Sequence, residues 1–341
     1  MIYVGMDVSS KSFVIHAINE RKKVVMQKEI EPSREGLKKM AEELGGEGKL
    51  VAFEAGNQMK WISETLKKIP GVETHVVHPN EVKWINQSSG KTDKIDAKKL
   101  AELARGDLLP RKVHVVEGPM RELRELISAR GQLQSKRVAL INTLRGYVKQ
   151  EGYKLPAKFF QGDGWKEKLR KTHLSKPLKL IIESFMTSIE SLMDSEAQVT
   201  GRILEIEDKR IELLESIPCI GKLTARVLVS AIDDVKRFDG AKEVANYGAL
   251  TPRIYQSGDV KQLGRINRDG RREVRRVLLQ CAHTIGRTKT LGAKPLREFV
   301  QRIEKKRGKK IAVVALARKL LTTSYGVLKS ETMYDPKKLA A

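Results

Sequence analysis

The chain is poor in cysteine, in aromatic rings and in acids. Its two cysteines, Cys219 and Cys281, stand far apart among 341 residues and form no CxxC pair. Neither a disulfide framework nor a zinc site organises such a sequence, and a reducing compartment is expected. Aromatics make up 5%, too few for an aromatic-rich platform that stacks a single strand. No apolar run approaches the length of a membrane span. The N-terminus opens on a strand pattern without signal-peptide character. A cytoplasmic protein of a bacterium or archaeon is therefore expected, with no membrane partner. Acids number 42 against 66 lysines and arginines, a formal charge of +24. Such a surplus on a folded protein points to a polyanionic partner, nucleic acid first among them.

The few acids gain meaning from where they fall. Residues 90–105 read GKTDKIDAKKLAELAR. Asp93 and Asp96 lie three apart at the start of a helix-forming run, on one face, where the helix dipole tolerates negative charge. Lysines surround them: Lys91, Lys94, Lys98 and Lys99. Taken alone, this is a solvated, charge-mixed helix start. Upstream, however, Asp7 ends the apolar run 2–7 and Glu54 lies near the end of the apolar run 49–55. Runs 2–7, 13–18 and 24–30 read as an antiparallel meander. A helix over 34–44 starts at the Ser33 cap and stops at Gly45-Gly46. Then come the strand 49–55, a helix through Trp61 and Leu66, the strand 73–77 and a helix over 80–86. This β-β-β-α-β-α-β-α order is the ribonuclease-H-like α/β pattern, a mixed sheet with helices on its faces. Four carboxylates at two strand ends and a helix start are suited to a divalent-metal site for phosphodiester chemistry.

Beyond Pro119 the pattern changes to apolar residues at three- and four-residue steps. One run extends from Leu123 to Val148 and a second from Leu178 to Leu214, joined by an irregular connector over 152–177. Two long amphipathic helices forming an antiparallel coiled-coil arm are expected, with a plain helical bundle as the alternative. SIPCIGKLTARVLVSAI, residues 216–232, resembles a helix-hairpin-helix. Its turn at Ile220-Gly221 would offer backbone N–H groups to a phosphate; an ordinary helix–turn–helix connection fits as well. Residues 256–259, QSGD, read as a flexible turn with an accessible serine, Ser257. Behind it come Arg265, Arg268, Arg271, Arg272, Arg275 and Arg276, the last four along one side of a helix, as for phosphate binding. Turn serines are usually just turn residues. One beside an arginine cluster can also serve as a nucleophile at phosphorus. A basic stretch over 302–310 and an apolar helix over 311–321 follow, with fraying expected beyond Met333.

Together, IYVGMDVSSKSF, FEAGNQ, KTDKIDAKKLAEL, IPCIGKLTARVLVSAI and YGALTPRIYQSGDVKQLGRINRDGRREVRRVL resemble the DEDD transposases of the insertion-sequence one-hundred-and-ten family, to which the invertase Piv is related. The resemblance covers nearly the whole chain. It implies a RuvC-like domain over 1–117, a coiled-coil connector over 118–215 and a mostly helical transposase domain over 216–341. It implies an acidic tetrad of Asp7, Glu54, Asp93 and Asp96 holding Mg2+ or Mn2+, and a serine, Ser257, that becomes covalently joined to DNA. It further implies donor and target DNA as substrates, a non-coding bridge RNA as guide, and a homo-oligomer, a tetramer on DNA. Lys91, Lys94, Lys222 and Arg253 join Gly221 and the arginine cluster as candidate nucleic-acid contacts. Three other readings compete. A RuvC-like junction nuclease would use the same tetrad with a structural Ser257. An actin-like ATPase or sugar kinase would use VGMDVSSKS as a phosphate loop, but no later Gly-rich adenosine loop follows. An inert nucleic-acid scaffold would use the acids to balance charge.

Overall fold

A computed structural model describes residues 1–46, 48–82, 92–162, 164–257, 260–267 and 269–340. They fall into two compact units, 1–115 and 116–341.

The N-terminal unit is built on a five-stranded sheet. Its strands are β1 (Ile2–Val8), β2 (Phe13–Asn19), β3 (Val24–Ile30), β4 (Lys49–Glu54) and β5 (Val72–Val77). Their spatial order is β3-β2-β1-β4-β5. The first three strands pair antiparallel, while β1, β4 and β5 run parallel, as the sequence pattern leads one to expect. Alternation decides the two faces. Val4, Met6, Val51 and Phe53 pack with Leu37 and Met40 of α1 (Arg34–Glu43) and with Ile62 and Leu66 of α2 (Met59–Lys67). The opposite face, with Tyr3, Leu50 and Ala52, packs on Leu100 and Ala104 of α3 (Asp93–Arg105). Ser33 caps α1 as expected, accepting from the Gly36 N–H at 3.0 Å. The helix expected over 80–86 is not found where it can be described: Asn80 and Glu81 form a turn and Val82 a bend. Residues 83–86 lie outside the described residues.

The C-terminal unit is helical. Its longest members are α4 (Gly118–Gln150) and α6 (Lys176–Glu205), 33 and 30 residues long. They pack antiparallel, since Arg202 pairs with Glu122 and Glu196 accepts from both Arg130 and Arg137. Far from these pairs, Leu144 and Val148 meet Ile182, Met186 and Ile189 in a separate small core. The connector is less irregular than its glycines and prolines suggest, because Trp165 and Leu169 anchor a short helix, α5 (Trp165–Arg170), in that core. The second long run also does not continue to Leu214. The helix ends at Glu205, and Asp208 caps a new one, α7 (Lys209–Glu215).

Near their other ends α4 and α6 enter the main core. Met120, Leu123 and Ile127 of α4 and Ile203 of α6 pack with α8 (Lys222–Ile232), α10 (Arg272–Ile285) and α12 (Lys309–Ser330). The α9 helix (Ala241–Tyr247), the hairpin of β6 (Pro252–Ser257) and β7 (Val260–Ile266), α11 (Lys294–Arg307) and α13 (Lys337–Ala340) complete the unit. The apolar helix expected over 311–321 is longer than its core stripe and runs through 309–330. By length and composition alone it passes for a membrane span, but 56% of its apolar window is buried inside the protein, as in a core helix. Leu316, Leu320 and Leu321 make it the core helix of this unit.

Candidate active site

Glycine at position 5 sets up the N-terminal site. A Cβ there would run into the Ala97 carbonyl and lie 2.6 Å from the Ala101 nitrogen, so α3 rests directly on the backbone of β1. The later part of α3 covers Tyr3 and Leu50, and its Ala97 turn covers Gly5. The first turn, with Asp93 and Asp96, therefore lies toward the C-terminal ends of the strands. Those ends carry the other two acids. Met6 is in register with Phe53, so Asp7 and Glu54 occupy the next position on adjacent parallel strands. Both share parity with the residues that face α3. All four acids are thus brought to one face at one end of the sheet.

Their environments differ. Asp93 is exposed, Asp7 and Glu54 are half-buried, and Asp96 is buried at 8% exposure. Neither Asp7 nor Glu54 is without a partner. The Oδ1 of Asp96 is buried and has no hydrogen-bond donor among the described residues, which costs about 1–3 kcal/mol for a buried polar atom. Among the described residues no three Asp, Glu, His or Cys side chains are gathered as a metal cluster. The backbone supplies the convergence, and the side chains stand apart. A set of hard carboxylate oxygens that includes one buried and donorless fits a divalent cation. Thr92 fixes the start of α3 by accepting from the Ile95 N–H at 3.4 Å. Lys94 is exposed on the same turn, and Lys91 lies outside the described residues.

Two supporting residues carry no signal in the sequence. The Gln58 amide donates to the Ser9 carbonyl at 2.8 Å, tying together the loops that follow the Glu54 and Asp7 strands. His16 is buried opposite Gly5 on β2. Burial, aided by the Lys98 ammonium, holds its imidazole below the ordinary range.

In the C-terminal unit Ser257 is the last residue of β6, in register with Val260. The turn expected over 256–259 follows this strand end, and its residues Gly258 and Asp259 lie outside the described residues. Arg253 and Arg265 are exposed on its strands, with Arg253 3.6 Å from Asp269. Arg268 lies outside the described residues. Arg271 caps α10 and donates to the Tyr247 hydroxyl at 3.0 Å. Arg272 and Arg276 are exposed on the first turns of α10, and Arg275 is half-buried. Between α7 and α8 the left-handed residue is Cys219, with φ 66°, rather than Gly221. Gly221 caps α8, and Gly221 and Lys222 are both exposed. A Cβ on Gly221 would meet nothing within 4 Å.

Other arginines have a structural task that spacing does not reveal. Arg124 reaches from α4 to the Ser230 and Ala231 carbonyls, Arg237 bonds those of Ala231 and Ile232, and Arg210 that of Asp233. They satisfy the negative C-terminal end of α8. Arg226 does the same for α6 at the Leu204 and Ile206 carbonyls. Burial, with Arg271 and Arg237 nearby, pushes Arg124 down to about 10, partly offset by Tyr247. Burial alone would raise the Tyr247 phenol. The guanidinium groups of Arg271, Arg124 and Arg237, with the hydrogen bond from Arg271, outweigh it and bring the phenol below its ordinary value.

A mixed five-stranded sheet in this order, with helices on its faces, fits an RNase H-like domain. Residues 4–152 match the DEDD transposase model of the IS110 type, described as Transposase. Residues 211–297 match the model described as Transposase IS116/IS110/IS902 family. The chain belongs to this family of DEDD transposases. It is 34% identical over half its length to the pilin gene-inverting protein of Moraxella bovis, covering 53% of that protein. It is 37% identical over 129 residues to the pilin gene-inverting protein of Moraxella lacunata, covering 39% of it. With the transposase for insertion sequence element IS1111A of Coxiella burnetii, identity is 24% across 97% of this chain and 90% of the other. A DEDD transposase domain suggests a divalent-metal requirement.

Proposed function

We propose that this protein is a DNA transposase and site-specific recombinase. In this reading Asp7, Glu54, Asp93 and Asp96 hold a Mg2+ or Mn2+ ion, and Ser257 is the nucleophile. The observation that carries the metal assignment is Asp96, whose buried oxygen lacks a donor among the described residues, at the helix start nearest the two strand-end acids. When bound, the ion supplies Lewis-acid charge at a phosphodiester and eases loss of a hydroxyl proton.

The chain's own groups do the remaining work. Thr92 and Gly5 hold the α3 carboxylates in place, and Gln58 steadies the strand-end loops. The Ser257 hydroxyl attacks phosphorus and gives up its proton to a nearby carboxylate or to solvent. One DNA oxygen leaves as a hydroxyl, and a phosphoserine ester forms. Attack on that ester by a second strand's hydroxyl frees the serine and joins DNA without ATP. Exposed Arg265, Arg272 and Arg276 balance phosphate charge on this path. Arg253, Arg271 and Arg275, with Arg268, Lys91, Lys94, Lys222 and the Gly221 turn, extend that nucleic-acid surface.

In the same reading the chain divides functionally at 1–117, 118–215 and 216–341. The paired helices α4 and α6 act as a coiled-coil connector between subunits, and α7 with α8 acts as a helix-hairpin-helix. Donor and target DNA are chosen by pairing with a bridge RNA, on a tetramer in which one chain's Ser257 serves another chain's carboxylates. The deciding experiment is recovery of a denaturation-resistant protein–DNA adduct in Mg2+. Wild type should yield it and Ser257→Ala should not. An adduct from Ser257→Ala alone removes the serine assignment, and strand cleavage with no adduct from wild type favours simple hydrolysis.

A further inference from the structure

A groove of about 660 Å³ opens at the base of the β6–β7 hairpin, walled by α9, α12 and the strand itself. Among the described residues its wall holds no carboxylate; it holds Lys242 and Asn246 from α9, Arg318 from α12, and Tyr255 from β6. Four observations bear on what it takes.

Arg318 comes off the core helix, is half-buried, and makes no hydrogen bond or ion pair among the described residues. Half-buried guanidinium groups are ordinarily satisfied, as Arg124, Arg210, Arg226 and Arg237 are in this same unit. Lys242 beside it is likewise unpaired among those residues. The Asn246 Oδ1 accepts from the Thr251 hydroxyl at 2.9 Å and the Asn267 amide at 3.5 Å. That orients the Asn246 amide and leaves its N–H donors unclaimed among the described residues. Finally, Tyr255 lies against Gly264 of β7. A Cβ on that glycine would come within 2.8 Å of the ring Cε2. One side of the ring is thus held by backbone, while 58% of the residue is exposed. In a chain with so few aromatics, a ring seated on a glycine and open to solvent is unusual.

An aromatic face, an oriented amide donor and two unpaired cations, beside an Arg253 that is paired with Asp269, match a base and its phosphate. We propose that this groove holds one unstacked nucleotide of a single-stranded segment. Its base lies on Tyr255 within reach of the Asn246 amide, and its phosphate sits at Arg318 and Lys242. The proposal rests on the transposase reading and deepens it. Ser257 ends the same strand two residues beyond Tyr255, about 7 Å at ~3.3 Å per residue, so a nucleotide held here would register its neighbour near the serine.

The test is equilibrium binding of a short labelled single-stranded DNA oligonucleotide to the full chain, which reads the groove without requiring strand joining. Base–aromatic stacking contributes ~1–3 kcal/mol per base, so Tyr255→Ala should weaken binding by about tenfold while Tyr255→Phe stays near wild type. Gly264→Ala, which crowds the ring, should fall between them. Arg318→Gln should flatten the slope of log affinity against log salt by roughly 0.7, the value of one single-strand phosphate. An abasic oligonucleotide should bind wild type and Tyr255→Ala equally weakly. The proposal is overturned if Tyr255→Ala binds like wild type, if wild type binds abasic and intact strands alike, or if polyglutamate of equal charge displaces the strand as well as DNA does. A chain that passes these tests yet never joins strands would keep this site and lose the strand-exchange reading alone.

Discussion

In the N-terminal unit a buried carboxylate oxygen of Asp96 has no donor among the described residues, whereas in the C-terminal unit Arg124, Arg210, Arg226 and Arg237 all find backbone carbonyls. Both units hold charge away from water, and they treat it in opposite ways. The arginines neutralise helix ends that the fold itself creates, so their charge is spent inside the structure. The Asp96 oxygen answers no donor among the described residues, and in the proposed reading it serves a cation. Arg318 divides residues of one kind: an arginine whose acceptors lie within the fold is architecture, while Arg318 has none among the described residues and is proposed to take a phosphate. Charge composition cannot make that distinction, because it counts all of these residues alike.

The largest effect that would break the comparison is expected at Asp96. If its free oxygen serves a cation, Asp96→Asn should lower strand cleavage by about a thousandfold or more, since metal-centred charge stabilisation supplies several kcal/mol. Thermal stability should hold or rise, because a buried carboxylate oxygen with no donor among the described residues is replaced by a neutral amide. Chelation with EDTA should mimic the loss and added Mg2+ should reverse it. A stability drop in Asp96→Asn, measured by thermal melting, would mean that the carboxylate is structural after all.

Next in size is Gly5→Ala. The added methyl meets the α3 backbone at Ala97 and Ala101, which a side-chain rearrangement cannot relieve. Overpacking of this kind costs ~1–3 kcal/mol, and here it should also lift the Asp93–Asp96 turn from the strand ends. Denaturant melting should show a destabilised N-terminal unit, and cleavage should fall further than stability does. Retained cleavage would show that α3 need not touch β1.

The arginine half of the comparison is sharpened by a pair of variants. Arg124→Met leaves charge-assisted hydrogen bonds to the Ser230 and Ala231 carbonyls unmade, worth ~1.5–3 kcal/mol, and Arg124→Lys should not restore them because it lacks the planar fork. Arg318→Met has no such bonds to lose among the described residues and should change stability by no more than ~0.5 kcal/mol. Equal losses in denaturant melts of the two variants would erase the distinction between structural and ligand-awaiting arginines.

The sequence shows one half of this contrast far better than the other. Alternation in IYVGMDV and KLVAFE fixes which face Asp7 and Glu54 share, and DKIDAKKLAEL announces an acid-bearing helix start, so the acids and the sheet are legible from local pattern. The arginines are not, because their acceptors are carbonyls at 230–233 that become available where α8 stops, at Asp233 with φ 55°. The hairpin is hidden for a related reason. PRIYQS and VKQLGRI interleave polar residues, and nothing local marks Gly264 as the place where the Tyr255 ring packs. The break between α6 and α7 is masked by apolar spacing that runs on through Ile206 and Ile211, although Asp208 supplies a cap. Long-range acceptors and close backbone approaches leave little periodic trace.

The smallest expected effect concerns pH and tests the N-terminal unit alone. His16 is buried beneath α3, where Lys98 disfavours its protonation and Glu102 favours it weakly. Its folded pKa therefore lies below the ordinary ~6.5. Between that lowered value and ~6.5 the unfolded chain binds the proton more readily than the folded one, so stability rises with pH through this window and falls on acidification. Melting temperature followed downward from neutral pH should thus decline for wild type before the carboxylates titrate. His16→Gln should flatten that decline, since an amide of similar size takes up no proton. Lys98→Gln should shrink it, because one of the charges opposing protonation is gone and the folded pKa moves back toward the unfolded one. Arg124 of the other unit, pushed down to about 10, keeps its charge across this range, so a second transition assigned to the C-terminal unit should not move. If both transitions shifted together, or if His16→Gln followed wild type, the acid sensitivity would belong to groups other than the imidazole under α3.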